Sequence, residues 1–314
     1  MRSMRIGWAS AALAGLLAAA GPGSAQPPAD LDGFWQRTLT RLRAQPLDAR
    51  VEPVADPAPY RTFRVTFASL DGVRIRARLG VPIGHGQERL PAIVTAPGYG
   101  GVQHGVMLAE CQRGYLVLQV DPRGQGESGE LFPLRGAEKL TWGIERPEGF
   151  YYQGAYADLV RGVDYLATRE DADPAGVAAV GTSQGGGLVL ALAALDPRIR
   201  AVVAHVPFLC DFRQAARTPE SLVRKILERT GVDAEAALRT LDYFDPLHLA
   251  GRIRAPALIS AGGKDKTCPP DTIRAVYDRI AARKSLFHDP GLEHTSSSEF
   301  YALVWPWLAL HLQR

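Results

Sequence analysis

The sequence predicts an α/β fold, a mostly parallel twisted sheet with helices on both faces and a small helical lid. Three observations lead there. Short apolar runs rich in Val, Ile and Ala alternate with longer helical patterns across most of the 314 residues, as strands and crossover helices do. The runs end in glycine- or proline-containing loops, where such sheets bind ligands. Around residue 183 an apolar run breaks at a glycine and restarts as an Ala/Leu-rich helix, so strand, turn and helix follow one another directly.

Taken in order, residues 1–25 carry Arg2 and Arg5, an apolar run over 6–20, and Gly23-Ser24-Ala25 before Gln26. That pattern predicts a cleavable secretory signal peptide, cut near Ala25/Gln26, and hence a secreted or periplasmic protein. The run is shorter than the ~20 residues a membrane anchor needs. Residues 26–314 then form one domain. The formal charge is +3, two units of it from Arg2 and Arg5, and no basic block is present. Nucleic acid and membrane are therefore not expected partners. Cys111, Cys210 and Cys268 are far apart and form no Cys-x-x-Cys, so three buried free thiols are expected rather than a zinc site or disulfide framework.

Residues 31–44 place Leu31, Phe34, Leu39 and Leu42 near one face, an amphipathic helix. A Pro-rich link, 46–59, leads to alternating runs at 60–67 and 73–81, separated by hairpin chemistry at Ser69-Leu70-Asp71-Gly72. Strand 91–96 ends in the loop Pro97-Gly98-Tyr99-Gly100-Gly101, followed by a helix near 104–113 and a strand at 115–121. The connection 122–147 is long for a compact domain and suits a functional edge. A helix at 150–169 precedes the strand 177–180. Strand 199–205 is followed by a loop at 207–212, and 219–241 reads as helical segments broken at Gly231, the core of a lid over about 210–245. Strand 256–261, helix 270–282, strand 284–288 and helix 297–312 close the chain.

Ser183 lies in Gly181-Thr182-Ser183-Gln184-Gly185, at the strand-to-helix turn. Glycines at 181 and 185 let strand and helix cross closely enough to lift the hydroxyl above the sheet, a nucleophile elbow. The helix N-terminus aims its free amides where negative charge develops in acyl transfer. A serine hydroxyl needs a base, and the base needs a carboxylate to hold its tautomer. In the α/β-hydrolase order of Ser, acid, His, the loop between last strand and last helix contains His294, and Asp265 leaves the preceding strand through Gly262-Gly263-Lys264. Backbone N–H groups of Gln184 and of Tyr99 are the candidate oxyanion donors.

Gly181-Thr182-Ser183-Gln184-Gly185-Gly186 together with Arg123-Gly124-Gln125-Gly126 resembles the acetyl xylan esterase / cephalosporin C deacetylase family of carbohydrate esterases. Tyr151-Tyr152, Val206-Pro207-Phe208-Leu209-Cys210, Tyr243-Phe244-Asp245 and Asp265-Lys266-Thr267-Cys268-Pro269-Pro270 agree with it. The resemblance implies an α/β-hydrolase fold, a Ser183–Asp265–His294 triad, an oxyanion hole from Tyr99 and Gln184, and bracing by Arg123 and Gln125. It places Pro207 and Phe208 near the substrate. The family's His-Glu is His294-Thr295 here, with Glu293 before the histidine; the spacing from His294 to Phe300 matches. Members are often hexamers, so a homo-oligomer is implied. The expected reaction is removal of small acyl groups, chiefly acetyl, from sugar or similar hydroxyls on small-molecule or oligosaccharide esters, with no metal and no organic cofactor. The alternatives are an exported peptidase or longer-acyl esterase on this fold, and a non-catalytic binding protein that keeps the scaffold.

Overall fold

The computed structural model describes residues 26–55, 59–84, 89–101, 107–134, 138–295 and 297–312. The expected signal peptide and the first residues of the helix expected near 104–113 therefore lie outside the described residues. Among those described, nine strands form one sheet: β1 (Arg50–Val54), β2 (Tyr60–Ala68), β3 (Arg74–Pro82), β4 (Leu90–Ala96), β5 (Leu116–Asp121), β6 (Ala172–Thr182), β7 (Ile199–His205), β8 (Ala257–Gly262) and β9 (Lys284–Asp289). Their order across the sheet is β1-β2-β3-β5-β4-β6-β7-β8-β9. The first three strands run antiparallel to their neighbours, and β5, β4, β6, β7, β8 and β9 pair in parallel.

Strand alternation sorts the core into two layers. In β4, Ala92, Val94 and Ala96 face one layer and Ile93 the other; in β7, Val202 and Ala204 oppose Ala201 and Val203. The larger layer holds α1 (Leu31–Arg43), α3 (Tyr151–Ala167), α4 (Gln184–Leu195) and α9 (Pro270–Arg279). The smaller holds α2 (Met107–Gln112) and α10 (Ser298–His311), whose Phe300, Val304 and Leu308 close it. Helix α4 is buried along nearly its whole length, which is why its sequence is apolar all round.

Two expectations need correction. The link at 46–59 contains β1, an exposed edge strand paired with β2 from Arg50↔Thr66 to Val54↔Thr62. Its charged, solvent-facing sequence gives no apolar alternation, and Pro53 is tolerated because edge strands need not donate on both sides. The buried face of α1 is Leu31, Phe34, Trp35, Thr38 and Leu42, with Leu39 only partly covered. Trp35 stacks on Tyr156 at 5.6 Å and donates to the Tyr243 carbonyl at 2.9 Å, so polar anchoring sets the rotation of this helix.

Segment 210–245 contains three helices, α5 (Phe212–Arg217), α6 (Leu222–Thr230) and α7 (Ala234–Leu241). Gly231, at φ 67°, ends α6 in the left-handed conformation glycine accepts without penalty. The four-residue α8 (Pro246–Leu249) follows, capped by Asp245.

Candidate active site

The centre of the site is a strained residue. Ser183 has φ 56° and ψ −122°, between the last residue of β6 and the first of α4. Its N–H donates to the His205 carbonyl at 2.9 Å, and its carbonyl accepts from Phe208 N at 2.8 Å and Gly187 N at 3.1 Å. These bonds hold a conformation that costs about 1–3 kcal/mol. Val206, Leu209 and Asp211 also have positive φ, so the strain is shared with the loop that packs against the elbow.

Close approach explains the glycines around Ser183. A Cβ at Gly181 would sit 2.3 Å from the Gly185 carbonyl oxygen, and one at Gly185 would sit 2.3 Å from that of Ala96. A Cβ at Gly187 would meet the Phe208 carbonyl oxygen at 2.1 Å. The first two let the helix cross β6 and β4; the third admits the loop after β7.

Three side chains converge at the carboxyl end of the parallel strands. His294 Nε2 lies 3.0 Å from Ser183 Oγ, and His294 Nδ1 lies 2.7 Å from Asp265 Oδ2. Asp265 is buried, and its Oδ1 accepts from Thr267 N at 2.9 Å and Cys268 N at 2.8 Å. The loops that carry acid and imidazole are sewn together by Gly263 N to Asp289 O at 2.7 Å and Lys264 N to Leu292 O at 2.9 Å. A Cβ at Gly262 would lie 2.5 Å from the Leu292 carbonyl oxygen, so this contact also requires a bare backbone. Glu293 and Thr295 are exposed, and the Thr295 N–H donates to the Glu293 carbonyl at 2.9 Å.

Gln184 opens α4, so its N–H is one of the helix's unpaired first-turn donors. Tyr99 lies on the loop after β4, half-buried, with its ring edge-on to Phe208 at 5.7 Å and Lys139 Nζ 4.4 Å from its centroid. Its hydroxyl donates to Glu138, which also receives Arg229 of α6. Helix α6 is tied to the acid loop as well, through Leu222 N to Thr267 O at 3.1 Å. Pro207 and Phe208 are buried beside the elbow. With Cys210, Thr267, Cys268 and Pro269 they wall a cavity of about 10 Å³, roughly the space of one water.

Arg123 does not reach Ser183. It is buried and donates to Asp158 of α3 through Nε and Nη2, at 3.1 and 2.8 Å, and to the Leu70 carbonyl at 3.3 Å. Ser69 donates to the same carboxylate at 2.6 Å, so the pair ties the β2–β3 turn to α3. Gln125 faces the other way, its Nε2 donating to the carbonyls of Gly98 at 3.0 Å and Tyr99 at 3.3 Å.

The three cysteines are free and buried. Cys268 is within hydrogen-bonding reach of Ser183, but burial pushes its thiol well above the ordinary range, so it stays protonated. Among the described residues, Asp265, Cys268 and His294 bring potential metal-ligand atoms within 4.8 Å of one another. The lone pairs a metal would need are engaged in the contacts to Ser183 and within the Asp265–His294 pair.

His205, the last residue of β7, stands directly behind the site. Its Nδ1 meets Ser260 Oγ, and its ring stacks on Phe300 at 4.6 Å. Burial is the main cause that pushes the imidazole down to about 4, partly opposed by the Thr295 backbone. A depressed value means that the folded state resists protonation. The resulting stability is present above about 6.5, the unfolded value, and is lost as pH falls from there through 4. The Tm of the wild type minus that of His205→Phe is therefore expected to shrink across this window in thermal melts. A constant difference from pH 7 to 4 would contradict it.

Comparison with known proteins places the chain. The acetyl xylan esterase (AXE1) family model matches residues 21–310. Acetyl esterase Axe7A of Xylanibacter ruminicola is 27% identical over 294 residues, covering 88% of this chain and 66% of that protein, just under two thirds of its length. The structure of an acetyl xylan esterase from a Paenibacillus species matches with TM-score 0.84 at 30% identity, covering 92% of this chain and 96% of that one. Acetyl xylan esterase 1 from a Thermoanaerobacterium species matches with TM-score 0.83 at 25% identity, covering 92% and 95%. With its mostly parallel sheet and two helical layers the molecule has the α/β-hydrolase fold, and the chain belongs to the acetyl xylan esterase family.

Proposed function

We propose that the protein is a serine carboxylesterase that removes acetyl groups from hydroxyls of carbohydrates or similar alcohols through an acyl-enzyme. The observation that carries this is the pair of contacts from His294, 3.0 Å to Ser183 Oγ and 2.7 Å to Asp265 Oδ2, at a strained elbow. Asp265 accepts from Nδ1–H and so leaves Nε2 unprotonated toward the serine. As Ser183 Oγ attacks the ester carbonyl, Nε2 takes its proton and the carbonyl oxygen becomes an oxyanion held by the N–H groups of Tyr99 and Gln184. The proton passes to the leaving alcohol. Water, deprotonated by the same imidazole, then releases acetate and restores the serine.

The match to the acetyl xylan esterase family supports a short acyl group, and buried Pro207 and Phe208 crowd the side of the elbow. Helices α5–α7, joined to the acid loop and to Glu138, act as the lid in this reading. Export through the N-terminal segment belongs to the same reading. Among the described residues no helix is long and apolar enough to cross a membrane.

A panel of acetyl, butyryl and octanoyl esters beside an aminoacyl anilide tests the substrate class. Acetyl is expected to give the highest kcat/KM, with butyryl lower by at least about tenfold, since a wall that must move for each methylene costs 1 kcal/mol or more. A preference for octanoyl or for the anilide would favour a lipase-like or peptidase reading. Failure of a fluorophosphonate to label Ser183 would favour a binding protein.

A further inference from the structure

Tyr151 and Tyr152 open α3 and are fully buried, yet the reaction above uses neither. Each hydroxyl meets one glutamine. Tyr151 donates to Gln125 Oε1 at 3.1 Å, and Tyr152 donates to Gln184 Oε1 at 2.9 Å. The other ends of the two carboxamides face the loop after β4. Gln125 Nε2 reaches the Gly98 and Tyr99 carbonyls. Gln184 Nε2 reaches Gln125 Oε1 at 2.8 Å, Pro97 O at 3.3 Å and Gly98 O at 3.4 Å.

The direction of every bond in this network is determined. A carboxamide can turn over, exchanging its oxygen and nitrogen. Were Gln184 turned over, its oxygen would face three acceptors, Pro97 O, Gly98 O and Gln125 Oε1, and no donor. The tyrosine hydroxyls complete the opposite choice by supplying a donor at each Oε1. Burial pushes both phenols well above their ordinary range, so they remain donors.

The Gly98 carbonyl is the point on which both amides converge, and it shares one planar peptide with the Tyr99 N–H. In a trans peptide the C=O and N–H point in opposite directions. Holding the Gly98 oxygen toward the glutamines therefore turns the Tyr99 N–H away from them. We propose that Tyr151 and Tyr152 are positioning residues for the oxyanion site, orienting the Gln125 and Gln184 carboxamides so that these grip the Gly98 carbonyl and fix the direction of the Tyr99 N–H. This rests on the reading of Tyr99 and Gln184 as oxyanion donors. Gln184 then serves twice, its backbone donating to the oxyanion and its side chain aiming the other donor. A misdirected donor weakens binding of the tetrahedral species far more than binding of the planar ester, because the geometry is matched to the former.

Three variants of the full-length protein test this: Tyr151→Phe, Tyr152→Phe and Gln125→Glu. The first two remove only an oxygen and leave the ring packing. The third sets a carboxylate against two carbonyl oxygens. For each, kcat and KM for p-nitrophenyl acetate, the inhibition constant of a phenylboronic acid, and Tm are measured, with kcat referred to sites titrated by a fluorophosphonate. The expected result is a fall in kcat of about 10- to 100-fold with KM within about twofold. The boronate, which mimics the tetrahedral species on Ser183, is expected to weaken by the same factor as kcat/KM. Gln125→Glu is expected to show the largest loss. Unchanged kcat per titrated site in an active wild-type background overturns the proposal, as does a loss of kcat with boronate affinity intact. A wild-type protein that neither hydrolyses the ester nor binds the boronate overturns the serine-esterase reading and this one together.

Discussion

Ser183→Ala is expected to lower kcat on an acetyl ester by about three to six orders of magnitude while leaving the fold nearly as stable as before. The first half follows from the proposed chemistry. Without Oγ no acyl-enzyme forms, and what remains is slow attack by water assisted by the oxyanion donors. The second half follows from the structure. The Ser183 side chain makes no capping hydrogen bond to α4, and its polar contacts are to His294 and Cys268. The bonds that hold the elbow are made by its backbone N–H and C=O, which alanine keeps. Alanine also bears the same strain at φ 56°, so neither relief nor extra cost arises there. A stability change within about 1 kcal/mol is expected from denaturant melts beside the kinetics. Near-normal turnover would move the nucleophile elsewhere; a large loss of stability would mean that the hydroxyl holds the turn together.

Asp265→Asn is expected to lower kcat by about 10⁴-fold, again with little loss of stability. The local geometry makes this sharper than a simple loss of charge. The Asp265 Oδ1 is fixed by two backbone donors, Thr267 N and Cys268 N. An asparagine there keeps those bonds only by placing its carbonyl oxygen at that position, which turns its NH2 toward His294 Nδ1. The imidazole must then accept at Nδ1 and carry its proton on Nε2, facing Ser183 with a donor where the proposed chemistry requires a base. Kinetics on the acetyl ester check the magnitude, and a crystal structure of the variant checks that the side chain stays put. A loss of only a few fold would show that the carboxylate does not select the tautomer.

The elbow was legible because its determinants are local. An apolar strand, a glycine, a serine and a helix follow within about a dozen positions, and Gly181 and Gly185 are demanded because a Cβ at either would fall 2.3 Å from a backbone oxygen. The loop positions of Asp265 and His294 were legible for a related reason, since alternating strands and helices limit which loops reach the carboxyl edge. Strand β1 was not legible, because an exposed edge strand carries no apolar period. Nor could the sequence say that His205 would stack on Phe300 behind the site, or that Arg123 would turn from Ser183 to Asp158. Tyr151 and Tyr152 read as two aromatic residues at the start of a helix. Their hydroxyl partners lie 26 and 32 positions away, in the loop after β5 and at the start of α4, and the meeting of those elements depends on the order of strands in the sheet.

By itself, then, the sequence determined the alternation of strands and helices, the strained serine and the order of the polar residues that follow it, all properties of short stretches of chain. Tertiary structure decided which polar atoms meet. Ser183 and His294 are 111 residues apart and Asp265 and His294 are 29 apart, and only the lateral order β6-β7-β8-β9 brings their loops together. Hydrogen bonds act over about 3 Å, so a fold must close before any of those partnerships exists.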